Sequence, residues 1–268
     1  MLIRIPDFNL ALTANSGQSF RFHQHDEGVF SLTACGKHVL IEQFPSETYR
    51  FSCNAEEYES VWKPYLDLDR DYSALGALIG ANDTYLARAY QYARGVKILR
   101  QQPFEALICF IISQRKSIPA IRSCVESLAR RYGRFICQDV FAFPEPAALA
   151  AANTDELAAC GLGYRVPYVL ETAWMVDEGT VNLEVLRHLD DAELDTALQL
   201  FPGVGKKVAA CVMLFAYQRM DAFPVDVWIE RVLQEHYKEG FPAQRFKGMS
   251  GILQQYLFCF ARHQAGRG

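Results

Sequence analysis

Between residues 20 and 41, apolar positions alternate with polar ones in the pairs Phe20/Phe22, Phe30/Leu32 and Val39/Ile41. A period of two turns one face of a strand inward and the other toward water. Asp26-Glu27-Gly28 and Cys35-Gly36 fall between the pairs at hairpin-loop lengths. Residues 1–80 thus predict a small antiparallel sheet with one or two helices. From about residue 83 the period changes. Ile118, Ile121, Val125 and Leu128 recur at helical spacing, which turns Arg122 and Glu126 outward. Similar patterns predict helices over 83–94, 104–113, 165–177, 190–201, 206–219, 225–238 and 249–264. The predicted fold class is α+β: a small N-terminal antiparallel sheet domain (1–82) packed on a larger helical region (83–268).

Composition narrows the class without naming a function. Half the residues are hydrophobic and 22% are charged, a globular balance that excludes a disordered or collagen-like chain. The longest apolar stretches, such as 106–112, fall short of the ~18–20 residues that span a membrane. The start, MLIRIPDFNL, has no apolar core followed by a cleavage site, so an intracellular protein is expected, cytoplasmic or nucleoid-associated if prokaryotic. None of the eight cysteines lies closer than 13 residues to the next, so no metal-binding Cys pair is predicted. A net charge of −4 argues against a nucleic-acid partner, but the mean conceals a strong division. Residues 1–80 carry six Lys/Arg against eleven Asp/Glu, whereas residues 86–134 carry ten against two and residues 201–268 nine against five.

The second basic stretch holds the most informative segment, 190–232. Asp190 and Glu193 fit a capping box that opens a helix, and Pro202-Gly203 stops it. Gly203-Val204-Gly205 then makes a tight turn into a second helix near Lys206. Free amides at that helix start can hold a phosphate, the geometry of a helix–hairpin–helix at 190–219 that grips DNA backbone without reading sequence. An ordinary αα-hairpin fits the bare turn as well. Lys206 and Lys207 occupy the first helical turn, where a cation is disfavoured by about 0.3–1 kcal/mol. That setting favours the neutral amine a nucleophile needs. Asp226 follows nineteen residues after Lys207, in the apolar run Phe223-Pro224-Val225-Asp226-Val227-Trp228. It caps the next helix on one reading and stabilises charge beside the amine on another.

With these residues in place, the stretch 201–232 resembles the helix–hairpin–helix DNA glycosylase superfamily, whose pattern is Gly-Val-Gly-x-Lys-Val followed by Pro-Val-Asp. Periodicity leaves Lys206 and Lys207 equivalent; the family pattern selects Lys207. The iron–sulfur members carry four closely spaced cysteines after the aspartate, whereas only Cys259 follows here. Four further segments are similar to the 8-oxoguanine DNA glycosylase branch. They are Ser16-Gly17-Gln18-Ser19-Phe20-Arg21, Gly161-Leu162-Gly163-Tyr164-Arg165, Cys211 four residues after Lys207, and Gln254 with Phe258.

The resemblance implies a role for each. The Gly17 carbonyl would accept the N7–H of oxidised guanine, a donor where guanine has an acceptor. Gln254 and Phe258, one turn apart on a helix face, would pair with the purine edge and cover one ring face. Cys211 would cover the other face of an extruded base. Tyr164 would wedge into the gap in the duplex. Arg165, Arg115 and the hairpin residues Gly203, Val204 and Gly205 would contact DNA. In isolation, Phe258 and Cys211 read as core, Tyr164 as a packed loop aromatic and Gly17 as an ordinary turn residue.

The resemblance departs at one place. The branch that demands cytosine opposite the lesion has an asparagine run before Ile118 and an arginine two residues after it; here the run is Ser113-Gln114-Arg115-Lys116-Ser117, and Ala120 takes the arginine position. The expected function is a bifunctional glycosylase and abasic-site lyase acting on 8-oxoguanine in duplex DNA, as a monomer. No metal ligands and no cofactor for the chemistry are expected, with a structural cation on the hairpin carbonyls open. The alternatives are an alkylated-base glycosylase of the 3-methyladenine type and a non-enzymatic helix–hairpin–helix DNA-binding protein.

Overall fold

The computed structural model describes residues 1–80 and 82–266. The N-terminal sheet has five antiparallel strands, β1 (Leu2–Arg4), β2 (Phe22–Asp26), β3 (Val29–Ala34), β4 (Lys37–Phe44) and β5 (Thr48–Phe51), in the order β1-β5-β4-β3-β2. The alternation selected β2, β3 and β4, three neighbouring strands that run in to the sheet from its β2 edge. It missed β1 and β5, which lie beside each other at one side of the sheet and are too short to display a period. Cys35 and Gly36 both take positive φ, 53° and 68°. That is the pair of left-handed residues a two-residue hairpin between twisted strands requires.

A helix α1 (Leu10–Asn15) precedes β2, and a helical stretch at 55–65 follows β5. One core forms between them around Trp62, Phe22, Phe30, Phe51 and Tyr49. Phe20 is not part of it. Its ring packs edge-on against Phe110 in the helical core, 5.9 Å between centroids. Tyr72 and Leu75 also belong to the helical core. Leu99 in turn belongs to the sheet core, so the two cores exchange residues across the region between them.

The helical region contains α2 (Thr84–Ala93), α3 (Pro103–Ser113), α4 (Ile118–Tyr132), α5 (Val166–Asp177), α6 (Asp191–Leu198), α7 (Lys206–Phe215), α8 (Val227–His236) and α9 (Ser250–Ala265). Each long periodic segment formed its helix. The short helices Ala74–Leu78, Pro146–Ala150 and Thr154–Ala159 and the two-strand ribbon of Phe135–Cys137 with Val140–Phe141 were not predicted. Helix α3 is almost wholly apolar and buried, with Glu105 as its one charged residue. No helix among the described residues is long and apolar enough to cross a membrane.

Periodicity misread one face of α4. Arg122 and Glu126 turn toward the N-terminal region, not toward open solvent. The Glu126 carboxylate accepts two hydrogen bonds from the buried Arg21 guanidinium, at 3.1 and 3.4 Å, and Arg122 donates to the Ala14 carbonyl at 3.1 Å. The polar face docks by pairing its charges, a contact that a hydrophobic pattern cannot register.

Candidate active site

The hairpin begins as its sequence indicates. The Asp190 carboxylate accepts from the Glu193 amide at 2.8 Å and the Glu193 carboxylate from the Asp190 amide at 3.2 Å, closing the capping box on α6. Gly203 takes φ +74°, and a Cβ there would lie 2.5 Å from the Tyr168 ring. Conformation and close approach both demand glycine. Gly205 caps α7 without a side-chain oxygen, so the first-turn amides of α7 remain available. Val204 departs from expectation. Its side chain is buried and its amide donates to the Phe201 carbonyl at 3.0 Å, which leaves Gly203 and Gly205 as the outward part of the turn.

Lys207 is half-buried, its Nζ 5.5 Å from the centre of the Phe110 ring. One turn later on α7, Cys211 is buried. Burial pushes its thiol up from the usual cysteine range and the nearby Lys207 opposes that shift, so the residue is a neutral, polarisable surface. Asp226 meets its capping reading and stands in the lining of the cavities. A single oxygen, Oδ1, accepts from the amides of Trp228 and Ile229 at 3.1 and 3.0 Å and caps α8. The other oxygen has no protein donor among the described residues, and the side chain lines the same cavities as Lys207.

Two connected cavities surround these groups. The larger, about 790 Å³, is lined by Arg115, Lys116, Arg262, Val225 and Trp228 among others. The smaller, about 60 Å³, lies among Gly17, Lys207, Cys211, Asp226, Gln254 and Phe258. Ligand pockets usually measure ~300–1,000 Å³, so the inner one admits a base only when a lining side chain moves. Phe258 is half-buried, lines both cavities and packs on Gly17, where an added Cβ would meet its ring at 3.4 Å.

The inner pocket displays two unused acceptors. Gln254 is 4% exposed; its Nε2 donates to the Pro224 carbonyl at 2.9 Å, while its Oε1 is buried without a partner. A lone buried acceptor costs about 1–3 kcal/mol, and a bound ring N–H would relieve that cost. The second is the Gly17 carbonyl. Side chains of the helical region donate to the main-chain carbonyls on either side: Arg122 to Ala14, Arg262 to Asn15, Gln255 to Ser16 and Gln101 to Gln18. No protein donor among the described residues reaches the carbonyl of Gly17, which sits at φ +77°.

The outer residues divide. Arg115 is exposed at φ +50°, has no ion pair among the described residues and borders the larger cavity. Tyr164 is 52% exposed. Arg165, expected to face DNA, is 4% exposed instead. It turns inward, donating to the carbonyls of Leu162 (3.1 Å) and Gln114, and its guanidinium lies 4.2 Å from the Tyr164 ring centre. With Lys116, which donates to the Gly161 carbonyl at 2.8 Å, it ties the 161–165 loop to the 113–117 loop. Sequence reasoning missed Phe110, Gln255, Trp228 and Tyr168. Only Gln255 carried a signal, a second amide beside Gln254 in the largely apolar middle of α9.

Residues 108–241 match the family described as HhH-GPD superfamily base excision DNA repair protein, and residues 1–107 match the 8-oxoguanine DNA glycosylase N-terminal domain. Among solved structures, the Clostridium acetobutylicum 8-oxoguanine glycosylase/lyase, in complex with duplex DNA containing cytosine opposite 8-oxoguanine, superposes with a TM-score of 0.91. It is 31% identical over 99% of this chain and 98% of its own. The N-glycosylase/DNA lyase of Arabidopsis thaliana is 30% identical, covering 83% of this chain and 65% of its own length. The Archaeoglobus fulgidus 3-methyladenine DNA glycosylase, at 21% identity and a TM-score of 0.76 over 98% of both chains, shares the fold.

Proposed function

We propose that this chain, which belongs to the HhH-GPD superfamily of base excision DNA repair proteins and within it to the 8-oxoguanine DNA glycosylases, excises 8-oxoguanine from duplex DNA and then nicks the strand. The observation that carries this reading is the convergence of Lys207, Asp226 and the unpartnered Gln254 Oε1 on one inner pocket beside Gly17.

The amine lone pair of Lys207 forms a bond to C1′ as the bond from C1′ to the base breaks. The bonding electrons leave on the base, which takes up a proton, and the amine loses one. The free oxygen of Asp226 faces positive charge developing at the sugar and suits proton transfer to and from it. Opening of the sugar ring yields a Schiff base on Lys207. Loss of the proton at C2′ expels the 3′ phosphate by β-elimination, so atoms and charge balance without a metal or organic cofactor.

Recognition would use the extruded base. The Gly17 carbonyl accepts N7–H, which guanine lacks, and Gln254 meets the purine edge. Phe258 and Cys211 cover the two ring faces. Gly203, Gly205 and the α7 amides grip a phosphate, Tyr164 enters the vacated stack and Arg115 faces the opposite strand. Borohydride trapping on an 8-oxoguanine duplex tests the assignment: wild type is expected to yield a covalent adduct and Lys207→Gln none. Trapping that survives Lys207→Gln sinks this reading. Release of 3-methyladenine without nicking would instead favour the alkylated-base alternative.

A further inference from the structure

Tyr168 lies in the first turn of α5 and belongs to none of the motifs of the pocket or the hairpin. Its position is nevertheless unusual. One side of its ring lies against Gly203, so close that a Cβ on that glycine would meet Cδ2 at 2.5 Å and both Cγ and Cε2 at 2.9 Å. Toward the 161–165 loop the ring meets Tyr164 edge to face, with centroids 6.2 Å apart and an interplanar angle of 81°. The exposed Tyr164 ring is also covered by the Arg165 guanidinium at 4.2 Å from its centre. Arg165 is anchored on the carbonyls of Leu162 and Gln114. Gly163, beside Tyr164, sits at φ +57° and opens a 3₁₀ turn closed by the Val166 amide on its carbonyl.

Two parts of the molecule that would touch DNA separately are thus joined through a single ring. On one side is the turn whose outward glycine and first-turn amides hold a phosphate; on the other is the aromatic at the tip of the 161–165 loop. Aromatic edge-to-face pairs have a preferred geometry, and a ring pressed on a glycine has no freedom to rotate away. We propose that Tyr168 is a positioning residue that sets the register between the hairpin and Tyr164, so that a strand seated on the hairpin amides brings Tyr164 to the base step being opened. This inference rests on the glycosylase reading above. The Tyr168 hydroxyl makes no hydrogen bond among the described residues, so the ring and not the hydroxyl does the positioning.

The experiment compares single-turnover excision of 8-oxoguanine from two duplexes, one with the lesion paired and one with it opposite a tetrahydrofuran abasic analogue, which cannot form a Schiff base and where little pairing resists extrusion. Misplacement of a positioning group by about 1 Å can cost on the order of a hundredfold in rate, so Tyr168→Ala is expected to slow excision from the paired duplex by about tenfold or more. The same variant should act on the unpaired lesion within about threefold of wild type, and Tyr168→Phe should match wild type on both. Tyr168→Leu, which keeps apolar bulk without a flat ring, is read in the same way if the alanine variant does not fold. Equal slowing on both duplexes, or no slowing on the paired one, overturns the proposal. Failure of the wild-type protein to excise the lesion from either duplex would instead overturn the glycosylase reading on which it rests.

Discussion

The sheet region and the helical region contribute to one pocket in different currencies. The helical region supplies side chains: Lys207 and Cys211 from α7, Asp226 from the cap of α8, and Gln254 and Phe258 from α9. The N-terminal region supplies the main chain of residues 16 and 17 and no reactive group. That short segment is held with more bonds than its size suggests. Gln18, fully buried, donates to Ser16 Oγ and the Lys97 carbonyl and accepts from the Leu99 amide at 2.8 Å. Its neighbours' carbonyls are tied to helical side chains, and the one left free belongs to the glycine at the pocket. The comparison separates two tasks. On the proposed reading, chemistry would fall to the side chains of the helical region and discrimination to a backbone atom chosen by its location.

Variants on the two sides should therefore fail differently, and lyase activity on a preformed abasic site tells them apart. The largest effect is expected for Asp226→Asn. Asparagine caps a helix about as well as aspartate, so the melting temperature should hold. Loss of a preorganised electrostatic partner costs on the order of 10²–10³ in rate, on the lesion and on the abasic site alike. A rate within a few-fold of wild type would remove Asp226 from the chemistry. Next is Gln254→Ala, which deletes a recognition bond worth about 1–3 kcal/mol. Excision of 8-oxoguanine should fall by about ten- to a hundredfold while abasic-site nicking is retained. Smaller again is Gln255→Ala, which frees the Ser16 carbonyl beside Gly17 and should lower lesion excision by about tenfold or less, again sparing the abasic site. Loss of abasic-site nicking in either glutamine variant would break the division between the two sides.

How much of this was legible follows the same division. The long helices and the strands β2, β3 and β4 declared themselves through periods that persist along the segment. The edge pair β1 and β5 and the helical stretch at 55–65 offered too few residues to show one. The residues of the inner pocket could be named because reactive and recognition side chains occur in a family order. What holds Gly17 could not be, because main-chain carbonyls leave no mark in a sequence. Arg165 shows the limit in reverse. An arginine after turn glycines reads as solvent-facing, yet the 3₁₀ turn at Gly163–Arg165 carries it inward onto carbonyls that only the folded loops present. Val204 reads as part of a DNA-gripping turn, but its apolar side chain and its amide are both used inside.

The smallest expected effect is electrostatic, and it probes the seam between the two regions through two carboxylates that share the buried Arg21. Burial alone would raise the Glu126 carboxyl, but hydrogen bonds with His23 and Arg21 and the charge of Arg21 outweigh it and bring the pKa down to about 2. A depressed carboxylate stabilises the fold above its ordinary value of 4.5, and that contribution is lost as pH falls toward about 2. Glu126 is 41% exposed, so solvent screening keeps the effect modest. Glu105 goes the other way. Burial raises it to about 7, and Arg21 only partly offsets this. Its native state therefore holds a proton that the unfolded chain releases, and stability declines as pH rises from 4.5 to about 7. Melting temperatures measured from about pH 3 to about pH 8 should resolve the two. Glu105→Gln should remove the decline between 4.5 and about 7 and be most stabilising above it. Glu126→Gln should flatten the acid side and lower stability above 4.5. If both variants shifted the profile in parallel at every pH, the carboxylates would be packing elements of the seam, and Arg21 would owe nothing to their charge.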